Sequence, residues 1–320
     1  MPTFSIIVPV YNAEKTLRKC LDSLRDQIFA DFEVLMAENG SADTSRAICR
    51  EYAQKDSRFI LHASDVNCGP SGARNIGLEH ARGTFIVFVD SDDYVEPEHL
   101  DVLYQAFANA DVVFFGYRQI ATDGRFLGEH LPKINGLSDY YETLVQLHRQ
   151  DMFGYTWIKA FRHEIVGQHR FPTELNLLGD EVFTCEVLEE KRRIAVIPKA
   201  LYNYVTGNAG SLVGKTHTDY CRKVDAAYRA WKKLLQPYEG KDEALTQMAN
   251  AYVSRCMYYG FERGVDAKHF FDDLAETAFF ADAAVTSEFS TCVRKRNYRK
   301  LSRMRASYRM KNKIAKLLKR

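Results

Sequence analysis

One stretch of the sequence, residues 84–93, constrains the fold of this chain more than any other. Residues 84–89 are apolar or β-branched without polar alternation, which is typical of a strand buried on both faces. The stretch then ends in three carboxylates, Asp90, Asp92 and Asp93. Open α/β sheets bind ligands at the carboxyl ends of such strands. Because residues two apart in extended chain point to the same side, Asp90 and Asp92 are expected to face one ligand together. A polar turn that simply ends the strand is the alternative.

The residues around this stretch alternate predicted strands with predicted helices. Apolar runs predict strands at 4–10, 32–36 and 59–62, and apolar residues at helical spacing separate them. This alternation predicts a parallel sheet whose polar loops meet at one edge. Further strands are predicted at 111–116, 193–197 and 201–205, with a hairpin turn at Asp123 and Gly124. From Asp219 onward the pattern is helical.

Composition narrows the class of protein. The 320 residues are 46% hydrophobic and 27% charged, as in ordinary soluble globular proteins. We expect neither a signal peptide nor a membrane-spanning helix, since no apolar run reaches about 18 residues. The seven cysteines never form a C-x-x-C pair. They therefore predict reduced thiols, and neither a disulfide framework nor a zinc site.

The net charge of +2 conceals a strongly basic carboxyl-terminal tail. Residues 294–320 contain thirteen Lys or Arg and no acid, which leaves 31 basic and 42 acidic residues in the rest of the chain. A thin apolar stripe runs through the tail: Leu301, Met304, Tyr308, Met310, Ile314 and Leu317. This pattern predicts a basic amphipathic helix that binds an anionic membrane surface. Aromatic residues are too sparse to favour nucleic-acid binding, and a solvated, disordered tail is the alternative.

Four motifs follow one another along the chain: IIVPVYN at 6–12, NGSAD at 39–43, a Gly-, Arg- and Asn-containing stretch at 67–77, and DSDD at 90–93. In this order and spacing they resemble the inverting family-2 nucleotide-sugar glycosyltransferases of GT-A fold, the bacterial polysaccharide type. The resemblance is strong over residues 3–116 and continues more weakly to about 213.

The resemblance implies an α/β fold of GT-A (Rossmann-like) type, with a mixed, mainly parallel sheet, flanking helices and a helical carboxyl-terminal region. The expected catalytic domain is 1–215, with a nucleotide-sugar-binding half at 1–116 and an acceptor-side half at 117–215. A helical region at 216–293 and the basic amphipathic tail at 294–320 would follow.

The implied activity is transfer of a single sugar, with inversion, from a nucleotide sugar to a glycan or lipid-linked acceptor. Such enzymes build cell-surface polysaccharides such as capsule, so we expect a cytoplasmic protein held at the inner face of the membrane. Homodimerisation through residues 219–293 is left open. A sugar nucleotidyltransferase is an alternative, although Tyr11, Asn12, Ala13 and Glu14 replace the Gly- and Lys-rich phosphate loop it would favour. A catalytically inactive nucleotide-sugar-binding assembly subunit is a second alternative.

The resemblance also implies residues for the donor. Asp92 is expected to hold Mn²⁺ or Mg²⁺, which would neutralise charge on the leaving diphosphate, and Asp90 to lie near the ribose. Arg74 would reach the nucleotide from the start of its helix. Tyr11 offers a ring face for the base, and Pro9 forms a stiff rim beside it.

Residues 38 and 39 depart from the family pattern, because Glu38–Asn39 replaces the usual acidic pair. A carboxylate at position 39 would accept the imide N–H of uracil, whereas an asparagine both accepts and donates. A UDP sugar is still the expected donor, with guanine and thymidine nucleotides left open. An ordinary strand-to-helix turn is the alternative role for both residues.

On the acceptor side, the stretch 179–183 resembles the family's acidic motif. Asp180 matches the general base that takes the proton of the acceptor hydroxyl, and Glu181 is the second choice. A helix N-cap is the alternative role for Asp180. Trp157 and Lys159 resemble a segment that lines the acceptor, with core packing as the alternative for Trp157. His217 could be a metal or phosphate ligand, although a lone surface histidine is the simpler expectation.

Overall fold

The computed structural model describes residues 1–134, 139–207, 216–263, 265–284 and 287–318, without the side chains of residues 267 and 312–318. The contacts divide the chain into two compact units, Met1–Ser211 and Leu212–Arg320. The first unit contains the sheet, and the second is helical where it is described. The expected mixed α/β sheet and helical carboxyl-terminal region are therefore both confirmed.

Nine strands of the described residues form one sheet in the order β3-β2-β1-β4-β8-β6-β9-β5, with β7 paired to β6. The strands are β1 Phe4–Val10, β2 Phe32–Asn39, β3 Phe59–Ser64, β4 Phe85–Phe88, β5 Tyr94–Val95, β6 Val112–Ala121, β7 Phe126–His130, β8 Lys159–Arg162 and β9 Ile194–Thr206. Strands β1 to β4 are mutually parallel, whereas β8 runs antiparallel to both β4 and β6. The predicted hairpin at Asp123 and Gly124 is confirmed by the antiparallel pair β6 and β7.

Seven helices accompany the sheet in the described part of the first unit: α1 Leu17–Arg25, α2 Ser45–Lys55, α3 Gly69–His80, α4 His99–Ala106, α5 Tyr140–Arg149, α6 His163–Val166 and α7 Gly179–Val187. Helix α3 lies very close to β1. A Cβ atom at Gly77 would stand 2.4 Å from Cγ2 of Ile7, so only glycine fits there. This contact fixes α3, which carries the Arg74 side chain, against the central strand.

The two short strands expected at 193–197 and 201–205 are instead one strand, β9. Its pairing with β6 shifts register, since Phe115 pairs with Ile197 and Gly116 pairs with Ala200. Pro198 lies inside this irregularity. Because proline has no N–H to donate to a ladder, a bulge is where a strand tolerates it.

The second unit contains α8 Tyr220–Leu234, α9 Lys241–Glu262, α10 Ala267–Ala275, α11 Ala278–Asp282, α12 Glu288–Arg294 and α13 Tyr298–Leu318. The predicted tail helix is present as α13. Leu301 of its apolar stripe is fully buried, and Arg305 and Arg309 donate to carbonyl oxygens at and just beyond the end of α9. The start of the tail thus packs within its own unit and stabilises the negative end of a helix. Among the described residues, no helix is long and apolar enough to cross a membrane.

Candidate active site

The loops that follow β1, β2 and β4 meet at one edge of the sheet and are tied together by hydrogen bonds. The backbone N–H of Ala42 donates to Oδ1 of Asn12 (2.9 Å), and the N–H of Asn12 donates to Oγ of Ser41 (3.1 Å). The hydroxyl of Thr16 donates to the carbonyl oxygen of Ser91 (3.0 Å). The loops therefore meet at one edge as predicted, and the polar residues of the motifs lie there.

Arg74 lies at the centre of this edge. Its Nη2 donates to Oδ1 of Asp90 (2.8 Å), and its Nη1 donates to Oδ1 of Asp180 (3.1 Å). Its Nε is buried without a hydrogen-bond partner among the described residues. Burial alone would lower the pKa of Arg74, but the two carboxylates more than offset burial, so the pKa is raised. One guanidinium thus joins the end of β4 to the start of α7.

Burial and neighbouring charges shift the pKa of Asp90, some upward and some downward. Burial raises its pKa, and repulsion from Asp92 and Asp180 acts in the same direction, while Arg74 opposes them. The net effect is a raised pKa for Asp90. A ligand that withdrew Arg74 would leave Asp90 and Asp180 without the cation that they share.

Asp93, the third carboxylate of the stretch, accepts hydrogen bonds from strand β9. Its Oδ2 accepts the hydroxyl of Tyr202 (2.7 Å), and its Oδ1 accepts the N–H of Val205 (2.7 Å). The Tyr202 hydroxyl in turn accepts the N–H of Asp90 (3.1 Å). Burial, followed by repulsion from Asp92 and Asp90, raises the pKa of Asp93 well above its ordinary value. Strand β9 is therefore fastened to the acidic turn, and nothing in the sequence had indicated Tyr202.

The acidic motif begins helix α7. Oδ2 of Asp180 accepts the buried hydroxyl of Thr156 (3.0 Å), so Arg74 and Thr156 together fix both carboxylate oxygens. Asp180 lies in the first turn of the helix, after the N-cap residue Leu178, so the capping alternative for Asp180 is wrong. Leu178 has φ 64°, a left-handed conformation that is unfavourable for a leucine.

Glu181 points elsewhere. Its side chain is buried, and its Oε1 lies 3.5 Å from Nε2 of His148. Asp180 is half-buried, whereas Glu181 is nearly enclosed. This difference favours Asp180 as the residue that could meet a substrate.

Some of the side chains expected to contact the nucleotide base are exposed, and others are already hydrogen-bonded within the protein. Tyr11 is 48% exposed beside the half-buried Pro9. Glu38 is fully buried, accepting the N–H of Ser41 (2.6 Å) and Nε of Arg46 (2.5 Å). This is the turn-forming role that the sequence left as an alternative.

The side chain of Asn39 is also already hydrogen-bonded within the protein. Its Oδ1 accepts the N–H of Cys68 (2.9 Å), and its Nδ2 donates to Oδ1 of Asn67 and to the carbonyl oxygen of Gly69 (both 3.0 Å). Its side chain therefore holds the loop that precedes α3. Any direct contact with a nucleotide base would have to replace these hydrogen bonds.

The segment that contains Trp157 and Lys159 is buried. Trp157 is 5% exposed and stacks on Tyr202, with ring centroids 4.7 Å apart. The structure thus supports the core-packing alternative for Trp157. Lys159 is fully buried between the rings of Phe114 and Phe153.

Asn75 connects α3 to the segment before α7. Its Oδ1 accepts the N–H of Phe171 (2.8 Å), and its Nδ2 donates to the carbonyl oxygen of the same residue (2.9 Å). Asn75 therefore holds the segment before α7 against α3. Thr156 and Tyr202 were not found from the sequence, although Thr156 lies next to Trp157 in a segment that the sequence had singled out.

His217 of the second unit is not the surface histidine that the sequence suggested. It is 8% exposed, and its Nδ1 lies 3.4 Å from Nζ of the buried Lys223. The loop before it, 208–215, lies outside the described residues.

A divalent cation fits this site only with help from a substrate. Among the described residues, no group of three or more His, Cys, Asp or Glu side chains could hold a metal ion. Mg²⁺-type sites in nucleotide-binding proteins, however, use one or two carboxylates and complete their ligands with phosphate oxygens and water. Asp92, half-buried in the acidic turn, has the chemistry for such a site.

Comparison with family models matches residues 5–170 to the family described as Glycosyl transferase family 2. Among curated proteins, EpsH of Bacillus subtilis (strain 168) is 33% identical over 210 residues, covering 63% of this chain and 60% of EpsH. Poly(ribitol-phosphate) beta-N-acetylglucosaminyltransferase TarS of Staphylococcus aureus is 29% identical over 216 residues, covering 66% of this chain and 36% of TarS. The match therefore spans less than two thirds of the length of these relatives.

Solved structures give the same picture of the fold. Residues 1–349 of S. aureus TarS in complex with UDP-GlcNAc align with a TM-score of 0.74 at 24% identity, covering 96% of this chain and 91% of that one. The mannosyltransferase PcManGT from Pyrobaculum calidifontis, in complex with GDP-Man and Mn²⁺, aligns with a TM-score of 0.55 at 17% identity, covering 95% of this chain and 84% of that one. These similarities confirm the expected GT-A fold.

Proposed function

This chain belongs to glycosyl transferase family 2, and from that premise we propose that it transfers one sugar, with inversion, from a nucleotide sugar to a glycan or lipid-linked acceptor. The observation that carries the proposal is the position of Arg74 between Asp90 and Asp180. It brings a candidate nucleotide contact and a candidate base together at one edge of the sheet. Synthesis of a cell-surface polysaccharide is the proposed setting.

In the proposed reaction, Asp180 takes the proton of an acceptor hydroxyl while that oxygen attacks the anomeric carbon of the donor sugar. The bond between the anomeric carbon and the diphosphate oxygen breaks on the opposite face. The nucleoside diphosphate then leaves with the electron pair of that bond. The hydrogen bond from Thr156 to Asp180 supports this role, because a base must be held in one orientation to be effective.

Asp92 is the residue proposed to hold Mn²⁺ or Mg²⁺ together with the donor phosphates. Bound there, such an ion would neutralise negative charge on the departing diphosphate. Arg74 supplies fixed positive charge beside the same group. Its buried, unpartnered Nε is consistent with a further acceptor when the donor is present.

UDP is the proposed nucleotide. The structure of TarS with UDP-GlcNAc supports this choice through the shared fold. In this chain the base is proposed to lie against the exposed ring of Tyr11, above a floor shaped by Glu38 and Asn39. Because both side chains are already hydrogen-bonded, we propose that they set the shape of the base pocket through the loops that they hold.

The test is release of nucleoside diphosphate from UDP, GDP and dTDP sugars, measured with and without alkyl glycoside and lipid-linked acceptors. We expect release from a UDP sugar, stimulated by acceptor. Asp180→Asn should lower the rate by roughly 100-fold or more while thermal stabilisation by UDP is retained. Glu174→Gln, an exposed acid in the preceding loop, is the matched control.

Three results would contradict the proposal. An Asp180→Asn rate within a few-fold of wild type would remove Asp180 as the base. Pyrophosphate release from a nucleoside triphosphate would indicate a nucleotidyltransferase. Binding of UDP without turnover of any donor would indicate an inactive nucleotide-sugar-binding subunit.

A further inference from the structure

The exposed aromatic ring in the segment that contains Trp157 is Tyr155. It is 39% exposed, whereas Trp157 is buried. The Tyr155 ring stacks on Trp157, with centroids 5.0 Å apart and planes inclined by 24°. Trp157 in turn stacks on Tyr202 and Tyr204, at 4.7 and 5.1 Å. Tyr155 is therefore the solvent-facing member of an aromatic stack that is rooted in strand β9.

The backbone of Tyr155 is also held by a hydrogen bond from a buried side chain. The Nζ atom of the fully buried Lys159 donates to the carbonyl oxygen of Tyr155. A buried amino group with a hydrogen bond to a carbonyl is a specific anchor, because leaving the buried amino group without a partner would be costly. Lys159 thus has an assignable role on this side of the site: it positions Tyr155.

The segment that carries Tyr155 and Trp157 also contacts the proposed base. Thr156, which follows Tyr155 directly, donates its hydroxyl to Oδ2 of Asp180 across 3.0 Å. The exposed Tyr155 ring and the Asp180 carboxylate are therefore connected through a single intervening residue. The segment that presents this ring therefore also holds the proposed base.

We propose that the exposed face of Tyr155 is a subsite for a pyranose ring of the acceptor. Pyranose rings present apolar C–H faces, and a tyrosine supplies a flat apolar surface with a polar edge. The rigid stack beneath the ring limits the loss of side-chain freedom on binding. This inference rests on the proposed glycosyltransferase function, since it uses Asp180 as the base.

The test is saturation-transfer NMR on the full chain with UDP present. The probes are the methyl β-glycosides of glucose, galactose and N-acetylglucosamine, and ribitol serves as a polyol without a ring. We expect transfer to the ring C–H protons of at least one glycoside and several-fold less to ribitol. Tyr155→Ala should reduce the glycoside signal by roughly fivefold to tenfold, the range for loss of one aromatic contact. Tyr155→Phe should retain it, because the ring face is kept.

Two controls separate this subsite from other causes. Tyr104→Ala removes another exposed tyrosine, 50% exposed on α4, and should leave the signal unchanged. Thermal stabilisation by UDP should be the same in wild type and Tyr155→Ala, which shows that the donor side is intact. An unchanged signal in Tyr155→Ala, equal transfer to ribitol, or no glycoside signal in wild type would each overturn the subsite. Loss of UDP stabilisation in Tyr155→Ala would assign the ring a structural role and overturn it as well.

The results that would contradict the proposed function differ from those that would contradict the Tyr155 subsite. If wild type bound the glycosides through Tyr155 but released no nucleoside diphosphate from any sugar nucleotide, the sugar subsite would stand without the transferase activity. If UDP-sugar turnover occurred and Tyr155→Ala changed neither the glycoside signal nor that turnover, only the subsite would fail.

Discussion

Nη1 of Arg74 lies 3.1 Å from Oδ1 of Asp180, although the two residues are 106 positions apart in the sequence. The same guanidinium binds Asp90, so the motif proposed to bind the nucleotide and the motif proposed to supply the base share one cation. Because all three groups are half-buried or buried, their charges are weakly screened by water. The end of β4 and the start of α7 are therefore held together by one buried guanidinium.

Arg74→Met should destabilise the protein and abolish its response to UDP. Removing one partner of a buried ion pair leaves uncompensated charge and costs roughly 3–5 kcal/mol. Urea unfolding gives the stability change, and thermal shift with UDP gives binding. Arg25→Met, which removes an exposed arginine paired with Asp22 and Asp26, should change stability by about 1 kcal/mol or less. Equal effects of the two substitutions would argue against a central role for Arg74.

Asp92→Asn should remove metal-dependent turnover while leaving the fold intact. The substitution keeps the size of the side chain but removes the charge that a hard cation requires. We expect a rate loss of roughly 100-fold or more with Mn²⁺, measured as nucleoside diphosphate release, and an unchanged urea midpoint. Asp26→Asn, an exposed aspartate on the same unit, is the control. A variant with full Mn²⁺-dependent activity would exclude Asp92 as the metal ligand.

Lys159 should make stability rise with pH. Burial lowers its pKa to about 7, against the attraction of Asp180 and Glu181, while the unfolded chain keeps an ordinary value near 10.5. Between these values the unfolded state binds more protons, so the free energy of unfolding should increase by up to about 1.4 kcal/mol per pH unit. Below about pH 7 Lys159 is protonated in both the folded and the unfolded state. The full free-energy cost of burying its charge then lowers the stability of the folded state.

Lys159→Met should abolish that slope, measured by urea unfolding between pH 6.5 and 9.5. Lys55→Met, which removes a lysine on the surface of α2, should retain it. Identical pH profiles for wild type and Lys159→Met would show that Lys159 does not titrate in this range.

Gly77→Ala should destabilise the first unit by roughly 1–3 kcal/mol through overpacking. The added methyl would stand 2.4 Å from Cγ2 of Ile7. Adding Ile7→Ala removes the clashing atoms, so the double variant should be more stable than the sum of the two single effects. Gly128→Ala, whose new methyl meets nothing closer than 3.9 Å, is the control. Strict additivity would mean that α3 moves away from β1 at little cost.

The end of the tail is proposed to bind anionic membranes. Lys311, Lys313 and Lys316 lie on α13 beyond the arginines that bind α9, and each could contribute about 1 kcal/mol near an anionic leaflet. Changing all three to Gln should strongly reduce flotation with phosphatidylglycerol vesicles at low salt. The matched control changes Lys55, Lys133 and Lys241 to Gln. Equal flotation of the two triple variants would remove the membrane proposal.

The sequence predicted a large part of this molecule because its signals are local. The buried run 84–89, the loops after the first strands and the order of the four motifs indicated the sheet and its ligand-binding edge. The tail was also predicted as a helix from its periodicity. The partners of its residues were not, since Leu301, Arg305 and Arg309 bind elements that periodicity does not specify.

The sequence by itself determined the family, the α/β class and the candidate acids Asp90, Asp92 and Asp180. Only the tertiary structure decided which of these acids share Arg74, that Asp93 fastens β9 through Tyr202, and that Tyr155, not Trp157, presents a ring to solvent. The reason is physical. Strand and helix patterns are properties of neighbouring residues, whereas burial, charge pairing and ring exposure depend on side chains that fold together from about a hundred residues away.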